Sequence, residues 1–222
     1  MRLDIGTAVR CSDTALGELA DIVIDPTTRR VTHIVVEPHH GIYTSRLVPI
    51  DLVRPREGGE IVLDCSLDEA ADLEHAEEMA YLRLGEFPVD DPRYDVTVTE
   101  MLALPYYEGI DMPTSGLYDY TQGVQVRYDR VPKGEVEVKR SSPVRSADDH
   151  HVGHVEGLVA DAEQHVTHVV LEHGHLWGKR DVSIPIGAVE RVEDGVVLLS
   201  LSKDEVGGLE QVRINRWHSH SG

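Results

Sequence analysis

The chain of 222 residues and 24.7 kDa is long enough for one large domain or two small ones, and too long for a disulfide-stapled miniprotein. Hydrophobic residues at 41% and charged residues at 27% lie near ordinary globular usage, which excludes wholesale disorder, collagen-like repeats and a membrane bundle. With 21 Lys and Arg against 40 Asp and Glu the net charge is −19, a field that repels phosphate backbones and anionic headgroups, so no direct nucleic-acid binding is expected.

The opening MRLDIGTAVRC carries Asp4 and lacks the apolar run of a signal peptide, and no window approaches the about 18 apolar residues of a spanning helix. Two cysteines, Cys11 and Cys65, are too few for a disulfide framework, which favours a reducing, cytoplasmic setting. Both read as small buried hydrophobes in strands, able to bridge only if those strands are neighbours.

Thirty valines against one phenylalanine favour extended structure. Residues 20–25 and 31–37 flank Asp25-Pro26-Thr27-Thr28, where proline presets φ and aspartate accepts from its own backbone, so a hairpin is predicted. A second hairpin is predicted around Glu57-Gly58-Gly59-Glu60. Ser66-Leu67-Asp68-Glu69 then has the serine cap and first-turn acids of a short helix.

Residues 74–137 differ in composition, holding seven of the eight tyrosines, the only phenylalanine, and 14 acids against 5 bases. Residues 74–84 have apolar positions at Ala76, Met79, Ala80 and Leu84, a spacing that predicts a helix. Residues 124–128 and 135–139 alternate as strands on either side of Pro132-Lys133-Gly134. The tyrosines form either an aromatic clasp or an exposed partner site that includes Tyr106 and Tyr107; burial is the commoner fate of amphipathic aromatics.

The first third of the chain then recurs. Val31-Thr32-His33-Ile34-Val35-Val36-Glu37 returns as Val166-Thr167-His168-Val169-Val170-Leu171-Glu172, Val48-Pro49-Ile50 as Ile184-Pro185-Ile186, and Gly17 as Gly153. Residues 9–73 align with 144–209 at about a third identity, including a turn at Glu193-Asp194-Gly195-Val196 and a helix start at Ser202-Lys203-Asp204-Glu205. The organisation read from this is a first repeat at 1–73, an acidic Tyr-rich connecting segment at 74–137, and a second repeat at 138–222 with a His-containing tail.

This pattern of a glycine before the first hairpin, an Asp turn, a Val-Thr-His strand and an apolar-Pro-Ile step, present twice, resembles the PRC-barrel family, named after the cytoplasmic domain of the photosynthetic reaction-centre H subunit. The resemblance implies a mostly β fold with two small, highly bent PRC-like β-barrels in tandem, with short helices and a Tyr-rich middle segment. The family also supplies the C-terminal domain of a ribosome-maturation factor and stand-alone bacterial proteins. It serves mainly as a protein-interaction platform and has no shared catalytic residues to carry over, and fold alone does not set function. The expectation is therefore a non-enzymatic scaffold without a cofactor, with an unidentified protein partner. It is expected to be a monomer whose two barrels are related by a pseudo-two-fold. An accessory role in RNA or ribosome maturation is an alternative opposed by the net charge, and a His-cluster metal-binding protein is another.

Thirteen histidines, several paired as at His39 and His40, His150 with His151 and His154, and His218 and His220, invite metal. No Cys-x-x-Cys or His-Glu-x-x-His supplies a ligand geometry, so no metal site is predicted. His33 and His168 match, as do Asp25 and Asp161; strand and turn roles account for both pairs. No nucleophile elbow, Walker loop or Gly-x-Gly-x-x-Gly is present. The best candidate contact surface is the loop His173-Gly174-His175-Leu176-Trp177-Gly178-Lys179-Arg180, which differs most from its counterpart. His173, His175, Trp177, Lys179 and Arg180 combine an aromatic anchor with bases, residue types enriched at interface hot spots.

Overall fold

A computed structural model describes the chain except residues 13, 40–43, 56–59, 84–90, 103–122, 140–141, 174–179, 194, 210 and 213–222. The first sheet contains β2 (Ala8–Cys11), β3 (Ala15–Asp25), β4 (Arg30–Pro38), β5 (Arg46–Pro49), β6 (Val53–Pro55) and β7 (Ile61–Leu63), followed by helix α1 (Leu67–Ala71). Its strand order is β5-β4-β3-β2-β7-β6. The second contains β12 (Pro143–Arg145), β13 (His151–Ala160), β14 (Val166–His173), β15 (Arg180–Pro185), β16 (Val189–Glu193) and β17 (Val196–Leu199), then helix α2 (Lys203–Gly207) and β18 (Gln211–Val212). Its order is β16-β17-β12-β13-β14-β15-β18.

Both sheets are built by the same local devices. Asp25 accepts from the Thr27 and Thr28 amides at 2.8 and 3.3 Å, and Asp161 from the Glu163 and His165 amides at 3.0 and 2.8 Å, so both predicted Asp turns form. Gly195 turns the β16–β17 hairpin at φ +73°, and β6 pairs antiparallel with β7, while the turn predicted at 57–60 falls largely on residues 56–59, outside the described residues. Ser66 and Ser202 each close a full capping box with Glu69 and Glu205. Gly17 and Gly153 are required by close approach. A Cβ on either would stand 2.0 or 2.1 Å from the carbonyl oxygen of Glu37 or Glu172.

Three expectations need correction. Residues 74–84 form no helix: Glu77–Arg83 is strand β8, paired antiparallel with β10 (Gly123–Pro132) from Gly123 opposite Arg83 to Asp129 opposite Glu77. A helical spacing of small apolar residues gave way to a long-range partner strand that uses the backbone hydrogen bonds of the whole segment. With β9 (Tyr94–Leu102) these make a three-stranded sheet in the order β8-β10-β9. Second, the sheets are open rather than closed barrels; among the described residues neither strand path returns to its starting edge. Third, Cys65 lies past the end of β7 rather than in a strand and is half-buried, whereas Cys11 closes β2 and is buried.

The sheets also do not follow the linear division of the chain. β1 (Arg2–Asp4) pairs with β13, placing Leu3 opposite Leu158, while β11 (Val136–Lys139) pairs with β3, placing Val138 opposite Ile22. Gly157 makes the first crossing possible, since a Cβ there would stand 2.4 Å from the Leu3 carbonyl oxygen. One apolar cluster joins Leu3, Ile22, Ile34 and Leu63 to Val138, Leu158, Leu171 and Leu199, so the two sheets share a core. A second, smaller cluster lies on the other face of the first sheet, where Val23, Val35 and Leu47 meet Ala76 and Tyr94. No helix among the described residues is long and apolar enough to cross a membrane.

Candidate functional site

The loop nominated by the sequence leaves the second sheet from the last pair of the β14–β15 ladder, where His173 stands opposite Arg180. His175, Trp177 and Lys179, like Tyr106 and Tyr107, lie outside the described residues. Of the other tyrosines, Tyr94 and Tyr128 are buried, Tyr94 in a cluster with Val23, Val35 and Leu47 of the first sheet. Arg130 stacks on the Tyr94 ring at 4.3 Å from its centroid, and Arg93 lies at 5.2 Å.

Where the first hairpins of the two sheets meet, they exchange backbone bonds. The Val31 amide donates to the Gln164 carbonyl at 3.0 Å, and the Val166 amide donates to the Arg29 carbonyl at 2.8 Å, around a bridge between Arg30 and His165. Arg29 and Gln164 both hold positive φ, 57° and 70°, a conformation non-glycine residues adopt only when neighbouring bonds fix it. Gln164 adds side-chain bonds of 3.0 Å, accepting from Arg30 and donating to Asp51. Beside this seam opens a cleft of about 530 Å³ lined by Ile50, Asp51, Arg54, Asp161 and Gln164 among others.

The sequence reading missed a charge cluster between β11 and the three-stranded sheet. The Lys139 ammonium donates to the buried Asp129 carboxylate and lies 3.1 Å from Glu137, whose side chain is only 10% exposed. Burial pushes Glu137 and Glu77 above the usual glutamate range. Burial opposes the charge on Lys139, but Glu137 and Asp129 overcome it and hold the ammonium above its ordinary value. The geometry sets one ammonium against two carboxylates of low exposure, an arrangement of charge compensation. Its only sequence signal is the alternation Glu135-Val136-Glu137-Val138-Lys139, which by itself reads as a strand with one wet face.

The matched histidines differ. His33 Nδ1 is buried without a hydrogen bond, 3.6 Å from Glu135, and burial holds the imidazole below its ordinary value against the pull of that carboxylate. His168 Nδ1 instead lies 3.1 Å from the Thr167 hydroxyl. The His151 and His154 rings meet edge to face at 4.7 Å, and His150 pairs with Asp148 at 3.1 Å. Among the described residues no group of three or more His, Cys, Asp and Glu side chains converges to hold a metal ion.

With this geometry in view, the family model of the PRC-barrel domain matches residues 140–206, the stretch that runs from just before β12 nearly to the end of α2. The resemblance read from the sequence holds for this part of the chain. No curated protein matches the chain.

Proposed function

We propose that the chain is a non-enzymatic scaffold of two PRC-barrel units, related by a pseudo-two-fold and acting in the cytoplasm on a protein partner. The observation that carries this reading is the reciprocal exchange of leading strands. Leu3 of β1 packs into the second sheet and Val138 of β11 into the first, each opposite the corresponding position of the long hairpin strand, Leu158 or Ile22. The hydrogen bonds of Val31 with Gln164 and Val166 with Arg29 repeat the same symmetry. The strand order from β2 to α1 recurs from β12 to α2 around a shared core, and the family match over residues 140–206 covers one of the two copies. We assign the contact to the segment from His173 to Arg180, because its sequence carries Trp177, Lys179 and Arg180.

The test is affinity capture from native lysate with the full chain and with a variant carrying Trp177→Ala, Lys179→Glu and Arg180→Glu. A protein recovered with the parent chain and lost with the variant is the expected result. Equal recovery by both chains removes the loop assignment. Salt-sensitive recovery of ribosomal particles replaces the scaffold reading with an RNA-linked one.

A further inference from the structure

We propose that Cys11 and Cys65 form a thiol pair that closes to an intramolecular disulfide when the protein meets a low-molecular-weight disulfide such as oxidised glutathione. Cys11 is the last residue of β2, which runs parallel to β7 with Cys11 opposite Leu63, and Cys65 follows two residues on. Cys11 lies in the apolar cluster of the core and Cys65 packs against that same cluster, and the Cys11 side chain acts on the Cys65 thiol to pull it back down against burial, so the two thiols are neighbours at one edge of the core. The Cys11 end is held firmly: its amide donates to the Thr14 carbonyl at 2.9 Å and its carbonyl accepts from the Thr14 amide at 3.1 Å.

The two sulfurs differ in access. Cys11 is 1% exposed and sits in the shared core, whereas Cys65 is half-buried at its margin. This sets the order of events. The Cys65 thiolate attacks one sulfur of oxidised glutathione and releases the first glutathione thiolate, giving a mixed disulfide on Cys65. The Cys11 thiolate then attacks the Cys65 sulfur and releases the second. Both thiol protons pass to the glutathione thiolates, so the protein loses two electrons and two protons and one oxidised glutathione becomes two reduced ones. Burial keeps the Cys65 thiol above its ordinary value, which makes the first step slow and favours moderately alkaline conditions.

The second sheet supplies a built-in control. The register that places Cys11 beside Leu63 places Ser146 and Leu201 at the matching points there, so a cross-link is confined to the first sheet. The closed loop spans about fifty residues, a length at which a disulfide strongly restricts the unfolded chain.

The experiment incubates the full chain at pH 8 with oxidised glutathione, alkylates free thiols and measures mass. The expected product is lighter by about 2 Da, carries no alkyl group, and reverts with dithiothreitol. Its melting temperature is expected to rise by about 5 °C or more. Hydrogen exchange should slow around residues 9–11 and 61–65 and stay unchanged around 144–146 and 197–201. A Cys11→Ser chain should stop at a stable glutathione adduct on Cys65. Two alkylatable thiols in the parent chain, or a lasting adduct on its Cys65, would overturn the proposal.

Discussion

The first and second sheets repeat one hydrogen-bonded frame and differ in what covers their second face. In the first, Val23 pairs with His33 and Val35 with Leu47; in the second, Val159 pairs with His168 and Val170 with Ser183 at the same points of the ladder. Val23, Val35 and Leu47 are all buried, with Ala76 and Tyr94 packed against them, while in the second sheet Val170 is buried but Val159 and Ser183 are half-buried. The difference arises in the chain that follows each unit. After His75, which bridges to Arg46 on the edge of the first sheet, the chain runs on into β8 and the three-stranded sheet. The frame accepts either residue at this point: leucine on β5 lies against Ala76 and Tyr94, and serine on β15 is half-buried opposite Val170.

The sharpest way to break this comparison is to exchange those two residues. Leu47→Ser should destabilise by about 4 kcal/mol, because it opens a cavity and buries a hydroxyl under Tyr94, whereas Ser183→Leu should stay within about 0.5 kcal/mol. Urea unfolding of both variants measures this, and equal effects would mean that the cover contributes nothing.

The crossing strands are the next test. Leu3→Ala should cost about 3 kcal/mol and Val138→Ala about 2 kcal/mol, each removing a buried side chain from the shared core. Both should unfold in one transition by fluorescence and circular dichroism. A biphasic curve would show that the two sheets melt independently.

Lys139→Met probes the charge cluster of Lys139, Asp129 and Glu137 beside the first sheet. A loss of about 2–3 kcal/mol at pH 8 is expected, below the about 3–5 for a fully buried pair because the ammonium is 40% exposed. The pH dependence has a definite sign. Glu137 and Glu77 have folded pKa values raised above 4.5, so protonating them favours the folded state, and that contribution is lost as pH rises through the raised values. Without Lys139 the ionised carboxylates lose their partner, so the cost of the substitution should shrink as the pH falls from 8 toward 5. A pH-independent cost would assign the effect to packing of the lysine stem.

The smallest effect should be symmetric. Ser66→Ala and Ser202→Ala each remove one capping box and should cost about 1 kcal/mol apiece, measured by thermal unfolding. A large difference between them would show that the two helices are not equivalent.

Several features that depend on a few neighbouring residues were legible in the sequence. The Asp25 and Asp161 turns, the Gly195 hairpin and the serine caps are set by φ preferences and by side chains that bond their own backbone, which is why the repeat could be read as elements as well as letters. Gly17 and Gly153 were visible as a match, but the carbonyl each must avoid belongs to another strand. What only the tertiary structure decided is which strand pairs with which. The same short run of alternating residues can join either sheet, because its own dihedrals are satisfied in both. The partner of β1, the strand character of residues 77–83 and the burial of Glu137 beside Lys139 were therefore fixed by long-range hydrogen bonding and shared burial, free energies that no local window contains.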